Sequence, residues 1–235
     1  MPNYIKVIVS GDVIEVEEYF SPRQAGSSVI RGSNQNLTTA QQQERNINLA
    51  RKKLSRKINA NFTSGDYFIT LTYNQKLEDD AVKRELKNYF NRLRAYCKKN
   101  KLPDLKYIVV TEKSKRIHHH MVLNKVIPFD VLIDKWNYGR VIISKMDNNK
   151  DYTGLARYIT KESTVDQKRR WTCSRNLLEP VEIRTEIKRR TKVFALPPKY
   201  RKTYMVMQEE HYFSIKTGEI RYLKAIRIGG ADLAA

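Results

Sequence analysis

The sequence predicts an α+β protein built around a ferredoxin-like or RRM-like split βαβ unit. Two observations carry this prediction. Between about residues 66 and 162 the elements alternate as strand, helix, strand, strand, helix, strand, helix, the order of a split βαβ unit with a central antiparallel sheet and helices on one face. The longest helix also has apolar residues at helical spacing, so that one of its sides is buried. N- and C-terminal extensions flank this unit.

The N-terminal extension is predicted to cover residues 1–60. Alternating apolar and polar residues indicate strands, and clustered Gly, Ser and Asn indicate loops. In chain order we expect a hairpin over residues 4–20 that turns at Ser10–Gly11–Asp12, a linker over residues 21–36, and a polar, basic helix that runs from an N-cap at Thr38 or Thr39 to about Ala60.

The predicted core covers residues 61–165. Its strands are rich in β-branched and aromatic residues, and its long helix starts with carboxylates and ends with lysines, as the helix dipole favours. In chain order we expect a strand over 66–74, a helix over 77–100, strands over 104–112 and 116–124 joined by the turn Lys113–Ser114–Lys115, a helix near Phe129–Trp136, a strand over 139–146, and a helix over 152–162.

Residues 166–235 are predicted to form a basic C-terminal extension that ends in a β-hairpin around Thr217–Gly218. Its basic clusters are candidate contacts for a DNA backbone, and a tryptophan beside them could stack on bases. These candidates are Lys168, Arg169, Arg170, Trp171, Lys188, Arg189 and Arg190. The alternative is that they are solvated loops of a basic protein.

The charge balance indicates a polyanionic partner. Lys and Arg number 45 against 25 Asp and Glu, for a net charge of +20. Nucleic acid is the first candidate and an anionic membrane surface the second, although ribosomal and chromatin proteins share such a charge. No apolar run approaches the ~18–20 residues of a membrane-spanning helix, and the first residues are too polar for a signal peptide. Two cysteines without CxxC spacing argue against a zinc ribbon and fit a reducing cytoplasm.

Three of the four histidines are consecutive, His118, His119 and His120. Alternate residues of a strand share a face, so His118 and His120 point to one side and His119 to the other. Two imidazoles roughly 6–7 Å apart along a strand could hold one divalent metal with a third ligand from a neighbouring strand. The alternative is that these histidines only make hydrogen bonds within the sheet.

Glu112 is the candidate third ligand because it ends the preceding strand. A three- or five-residue connection, or a bulge, would place it beside His118. A connection of even length would place it on the face of His119 instead.

Tyr158 and Lys161 form a second candidate pair, since residues three apart on a helix are neighbours. A free phenol, with a pKa near 10, attacks poorly at neutral pH. A bound metal that polarises a phosphate, with a lysine to stabilise the anion, would supply the missing activation. The alternative is a core tyrosine and a solvated lysine. Tyr152 could compete as nucleophile, but it would lie about 120° off the face of Tyr158 on a helix.

These motifs, in this order, resemble the rolling-circle replication initiators (Rep proteins) of bacterial plasmids and phages, members of the HUH endonuclease superfamily. FITLTYN at 68–74 is similar to the family's first motif, HHHMV at 118–122 to its metal-binding His–hydrophobe–His motif, and YITK at 158–161 to its nucleophile motif Y-x-x-K. The resemblance covers roughly residues 66–165. One departure is that His119 occupies a position where the family usually has a bulky hydrophobic residue.

The resemblance implies a site in which His118, His120 and Glu112 bind Mg²⁺ or Mn²⁺, Tyr158 is the nucleophile and Lys161 its basic partner. It implies site-specific nicking and rejoining of one DNA strand, at a single-stranded or hairpin origin, through a 5′-phosphotyrosine. This reaction would initiate, and also terminate, rolling-circle replication of a phage or plasmid in the cytoplasm of a bacterial or archaeal host. Without a GxxxxGK[ST] phosphate loop, we expect the helicase, like the DNA polymerase, to be the host's.

Two alternative functions stay open at this point. A single-tyrosine HUH transposase would share the chemistry but act on transposon ends. A non-catalytic RRM-like nucleic-acid-binding regulator would bind without nicking. The conjugative relaxases of the same superfamily fit less well, because they place the tyrosine before the histidines, whereas Tyr158 follows them.

Overall fold

A computed structural model describes residues 3–20, 40–113, 116–161, 171–189, 193–214 and 218–228. The chain divides into two compact units. The core unit is Gln43–Leu178, and the terminal unit combines Met1–Gln42 with Glu179–Ala235. Each unit contains one five-stranded sheet. None of the described helices is long and apolar enough to span a bilayer.

The elements follow one another along the chain without long gaps in the core unit. They are β1 (Asn3–Ser10), β2 (Val13–Phe20), α1 (Ala40–Asn59), β3 (Tyr67–Thr72), α2 (Asp79–Lys99), β4 (Tyr107–Glu112), β5 (His118–Leu123), α3 (Phe129–Asp134), β6 (Val141–Lys145), α4 (Thr153–Ile159), β7 (Thr172–Cys173), β8 (Val181–Ile187), a short 3₁₀ helix (Pro198–Tyr200), β9 (Tyr204–Ser214) and β10 (Gly218–Arg227).

The core sheet has the strand order β6-β3-β5-β4-β7, and every described pair of neighbours is antiparallel. The elements β3, α2, β4, β5, α3 and β6 follow the split βαβ order. The predicted α+β class and split βαβ architecture are therefore confirmed.

The core sheet is covered by helices on both faces, whereas the sequence predicted helices on one face only. On one side, which we call the α2 face, strand residues such as Ile69 and Met121 pack with α2 and α3. On the opposite side, the α4 face, Ile108 and Val122 pack with α1 and α4. The sequence of β4 already carried the signal, because a strand buried on both faces is apolar at consecutive positions. Ile108, Val109 and Val110 are all at most 2% exposed.

Helix α4 is shorter than the predicted helix over 152–162. It ends at Ile159, and Thr160 forms its C-cap. The Thr160 hydroxyl donates to the carbonyl oxygen of Ala156 at 2.6 Å, a local hydrogen bond by which threonine competes with helix continuation. Lys161 consequently lies past the helix end rather than on it.

The terminal sheet has the order β8-β1-β2-β10-β9 and brings together strands from both ends of the chain. The predicted first hairpin is confirmed: Ser10 pairs with Val13, and Gly11 adopts a positive φ of 59° that favours glycine. The predicted last hairpin is confirmed by the pairing of β9 with β10. The linker 21–36, both candidate N-caps and Thr217 lie outside the described residues.

Candidate active site

The pairing of β4 with β5 brings Glu112 to the two alternate histidines. The register sets Glu112 opposite His118, and cross-strand partners of an antiparallel pair share a face. The connection between the two strands, residues 113–117, therefore has the odd length that this arrangement requires. Glu112 Oε2 lies 3.3 Å from His118 Nε2 and 3.5 Å from His120 Nε2.

The hydrogen bonds of the two imidazoles leave Nε2 pointing at the carboxylate. His118 Nδ1 lies 2.9 Å from the carbonyl oxygen of Arg116, and because a carbonyl only accepts, Nδ1 carries the proton and Nε2 has the free lone pair. His120 Nδ1 lies 3.2 Å from the hydroxyl of Thr70, which can accept the corresponding proton. Such outer partners orient histidines that ligate metals.

The three groups fit a divalent cation. One ligand atom from each of Glu112, His118 and His120 lies within 4.8 Å of the others. Neighbouring ligands of an octahedral ion with bonds of about 2.1 Å lie about 3 Å apart, close to the two nitrogen–oxygen separations. Two imidazoles and a carboxylate form a mixed donor set for a divalent metal, so these residues can hold one.

Tyr158 lies beside the same histidines. Its ring centroid is 5.5 Å from that of His120 and 6.1 Å from that of Phe68. Phe68 in turn stacks on His120 at 5.7 Å with an interplanar angle of 16°. The Tyr158 side chain is 58% exposed, so its phenol is open to an external phosphate while its ring contacts the histidine pair.

Comparison with known proteins gives one family match. Residues 66–163 match the model of the family described as Replication-associated protein ORF2/G2P. This segment is a domain of that family. Searches of curated proteins and of solved structures returned no match. The family match agrees with the predicted resemblance to a rolling-circle replication initiator. It supports a role in DNA replication and implies DNA binding.

All three candidate metal ligands and the candidate nucleophile lie in this replication-associated domain, on the α4 face of its sheet. The fourth residue of the site, Lys161, is exposed, and its backbone amide donates to the Tyr158 carbonyl at 3.2 Å. Tyr152 is buried among apolar residues of the α4 face, and its hydroxyl donates to the Asp147 carbonyl. The structure therefore separates the two tyrosines: one is exposed beside the histidines and the other is part of the core.

His119 lies on the α2 face of the replication-associated domain and is fully buried. Its Nε2 is 2.8 Å from the Tyr73 hydroxyl and its Nδ1 is 2.9 Å from the Thr111 hydroxyl. Each ring nitrogen thus has a hydroxyl partner, which can donate or accept. A neutral imidazole is satisfied in either tautomer.

Burial governs the electrostatics of both inner histidines. It lowers the pKa of His119 to about 3, with smaller contributions from the neighbouring His118 and His120, so His119 is neutral at physiological pH. Burial also lowers the pKa of His120; repulsion from His118 adds to this effect and the Glu112 carboxylate opposes it. A neutral imidazole is the form that ligates metals.

The predicted DNA-binding residues are spread over different environments. Trp171 is half-buried against the apolar cluster of the α4 face, while Lys188 and Arg189 are exposed just after β8 in the terminal unit. The other four, Lys168, Arg169, Arg170 and Arg190, lie outside the described residues.

Two contacts of the site were not singled out from the sequence. Phe68 and Thr70 lie on the same face of β3 as the paired histidines, and both contact His120. Their two-residue spacing in FITLTYN was an available signal, because alternate strand residues share a face. The sequence could not show that this face is the one that meets His120, since that depends on how β3 pairs with β5.

Proposed function

We propose that the core unit nicks one strand of an origin DNA and retains the strand end as a 5′-phosphotyrosine on Tyr158, which initiates and terminates rolling-circle replication of a phage or plasmid. One observation carries the proposal: inside a replication-associated domain, the exposed Tyr158 ring lies 5.5 Å from His120, a member of the candidate metal-binding triad. A reactive phenol and a potential metal site thus share one surface.

The proposed reaction exchanges one phosphodiester for another. The Tyr158 oxygen attacks the scissile phosphorus, the new oxygen–phosphorus bond forms, and the bond to the 3′ oxygen breaks. The phenolic proton passes to solvent, and the departing 3′ oxygen takes up a proton and becomes a 3′-hydroxyl. Because the bond energy is retained in the tyrosyl ester, a 3′-hydroxyl can later reverse the step and reseal a strand.

The residues around Tyr158 have separate tasks in this proposal. Glu112, His118 and His120 would hold Mn²⁺ or Mg²⁺, which when bound supplies positive charge to the scissile phosphate. Lys161, one residue past the cap of α4, would stabilise the phosphate anion. The basic residues after the domain, among them Lys188 and Arg189, would bind the DNA backbone.

The products of the reaction define the proposed partners. A free 3′-hydroxyl is a primer, so a host DNA polymerase would extend it while a host helicase separates the strands. The substrate would be a single-stranded or hairpin origin, and the reaction would take place in the cytoplasm of a bacterial or archaeal host.

The test uses a pool of single-stranded oligonucleotides with a random centre and a fluorescent label at the 3′ end. The label stays with the fragment that becomes linked to tyrosine. After incubation with the full chain and Mn²⁺, denaturing electrophoresis and peptide mass spectrometry locate the adduct, and sequencing of the linked DNA identifies the preferred site. We expect one adduct, on Tyr158, that Tyr158→Phe abolishes.

The matched control is Tyr152→Phe, which removes a hydroxyl from the buried tyrosine of the same segment and should leave the adduct in place. An adduct that persists in Tyr158→Phe would refute the assignment of the nucleophile. DNA binding without any adduct would instead support the non-catalytic regulator. A preference for transposon-end hairpins over replication origins among the linked sequences would favour the single-tyrosine transposase.

A further inference from the structure

Helix α1 contacts both ends of helix α4, the helix that carries Tyr158. Helix α4 has seven residues, and a helix of this length is unstable by itself, so its position depends on tertiary contacts. Helix α1 precedes the segment that matches the replication-associated family. Nothing in the motifs of that segment points to α1, which makes these contacts a separate feature of the chain.

The first contact is at the C-terminal end of α4. Arg51 Nε lies 3.2 Å from the hydroxyl of Thr160, and a terminal nitrogen of the same guanidinium lies 3.3 Å from the Thr160 carbonyl oxygen. Carbonyl groups at a helix C-terminus lack partners within the helix and carry partial negative charge. The guanidinium therefore binds this end with both hydrogen bonds and charge. Thr160 is two residues from Tyr158 and only 1% exposed.

The second contact is at the N-terminal end of α4. The side-chain carbonyl of Asn59 accepts from the backbone amide of Tyr152 at 2.9 Å, and its side-chain amide donates to Asp151 at 3.3 Å. The same Asp151 oxygen accepts from the backbone amide of Thr153, the first residue of α4. Asn59 thus holds the two residues that precede the helix.

Apolar packing joins the two helices between these ends. Leu54 and Ile58 of α1 belong to the same buried cluster as Ala156 and Ile159 of α4. Tyr158 itself is more exposed than buried, so its own packing contributes little to its placement. The position of the phenol relative to His120 is therefore set largely by where α4 is held.

We infer that α1 positions the nucleophile, and that Arg51 is the positioning residue for the last turn of α4. This inference rests on the proposed function. A misplacement of about 1 Å can slow a reaction about 100-fold, and the loss of one contact of several should shift α4 by less. We expect loss of the Arg51 contact to slow adduct formation about 10-fold without changing the affinity of Glu112, His118 and His120 for Mn²⁺.

The experiment compares Arg51→Met with Lys53→Met in the full chain. Both variants lose one positive charge from α1 and keep an unbranched stem, but Lys53 is exposed. Rate constants of adduct formation are measured in single turnover at saturating oligonucleotide, so that differences in DNA affinity do not contribute. Mn²⁺ affinity is measured separately by titration calorimetry. We expect Arg51→Met to be about 10-fold slow, Arg51→Lys to recover part of the rate, and Lys53→Met to match the native chain.

A native rate in Arg51→Met, an equal slowing in Lys53→Met, or a parallel loss of Mn²⁺ affinity would each overturn the inference. If Arg51→Met does not fold, Arg51→Lys and Thr160→Val decide. Thr160→Val removes one acceptor of the Arg51 contact, and its slowing should not multiply with that of Arg51→Lys, since both variants perturb one interaction. If the native chain itself forms no adduct, the proposed function fails first, and that result is distinct from an adduct whose rate ignores Arg51.

Discussion

The two faces of β5 show how one residue type acquires two roles at adjacent positions. On the α4 face, His118 and His120 direct their Nε2 atoms at the Glu112 carboxylate beside an exposed tyrosine. On the α2 face, His119 is enclosed and both of its ring nitrogens meet hydroxyl groups. The first pair has lone pairs available for a cation, whereas the third histidine has none to spare.

The contrast teaches that the partners of a histidine, rather than its presence in a motif, decide its chemistry. A carboxylate partner leaves an acceptor nitrogen that a metal can use, while two hydroxyl partners satisfy the ring completely. We therefore expect substitutions on the α4 face to change metal binding and substitutions on the α2 face to change stability.

The largest expected effect is on metal binding in His120→Ala. Loss of an outer partner of a ligand typically weakens metal affinity about 10–100-fold, so loss of a ligand itself should weaken it at least about 100-fold. Mn²⁺ at 100 times its dissociation constant should stabilise the native chain by about 2.7 kcal/mol and leave this variant unchanged. Calorimetric titration and urea unfolding with and without Mn²⁺ measure both effects. Retained affinity would remove His120 from the site.

His119→Ala should instead destabilise the protein by about 3 kcal/mol, because it leaves two buried hydroxyls without their imidazole partner and opens a cavity. Urea unfolding in the presence of EDTA measures this free energy without a metal contribution. The control is His118→Ala, whose side chain is 22% exposed and should cost much less. A larger loss of Mn²⁺ affinity in His119→Ala than in His118→Ala would reverse the assignment of the two faces.

Thr70→Val should weaken Mn²⁺ binding about 10-fold, because it removes the hydroxyl that orients His120 through Nδ1. Thr70→Ser keeps the hydroxyl and should bind normally. Thr72→Val is the matched control on the same strand, since the Thr72 hydroxyl bonds to the backbone of Arg140 instead. Equal affinities in all three variants would show that His120 needs no orienting partner.

The smallest expected effect is that of Tyr73→Phe on the α2 face. It removes one hydrogen bond of His119 and should lower the free energy of unfolding by about 1 kcal/mol. Adduct formation and Mn²⁺ affinity should match those of the native chain. A change in Mn²⁺ affinity as large as that of Thr70→Val would mean that the two faces are coupled through β5.

Much of the core unit was predictable from local patterns. The split βαβ order followed from apolar periodicity and turn residues, and the shared face of His118 and His120 followed from the two-residue repeat of a strand. The helix over 152–162 was predicted too long, because the cap that stops it depends on the side chain of Thr160, which bonds back to Ala156. The placement of α1 against α4 was not predictable, because Arg51 and Thr160 are far apart in sequence.

By itself, the sequence determined the partner class, the order of the elements and the residues capable of the chemistry, since charge, periodicity and residue type are local properties. It left Glu112 conditional on the length and register of one connection. Only the tertiary structure decided that Glu112 joins His118 and His120, that His119 belongs to the opposite face, that Tyr158 rather than Tyr152 is exposed beside them, and that α1 holds α4. The physical reason is that strand pairing and helix packing are long-range contacts, which bring distant residues together and which no local pattern encodes.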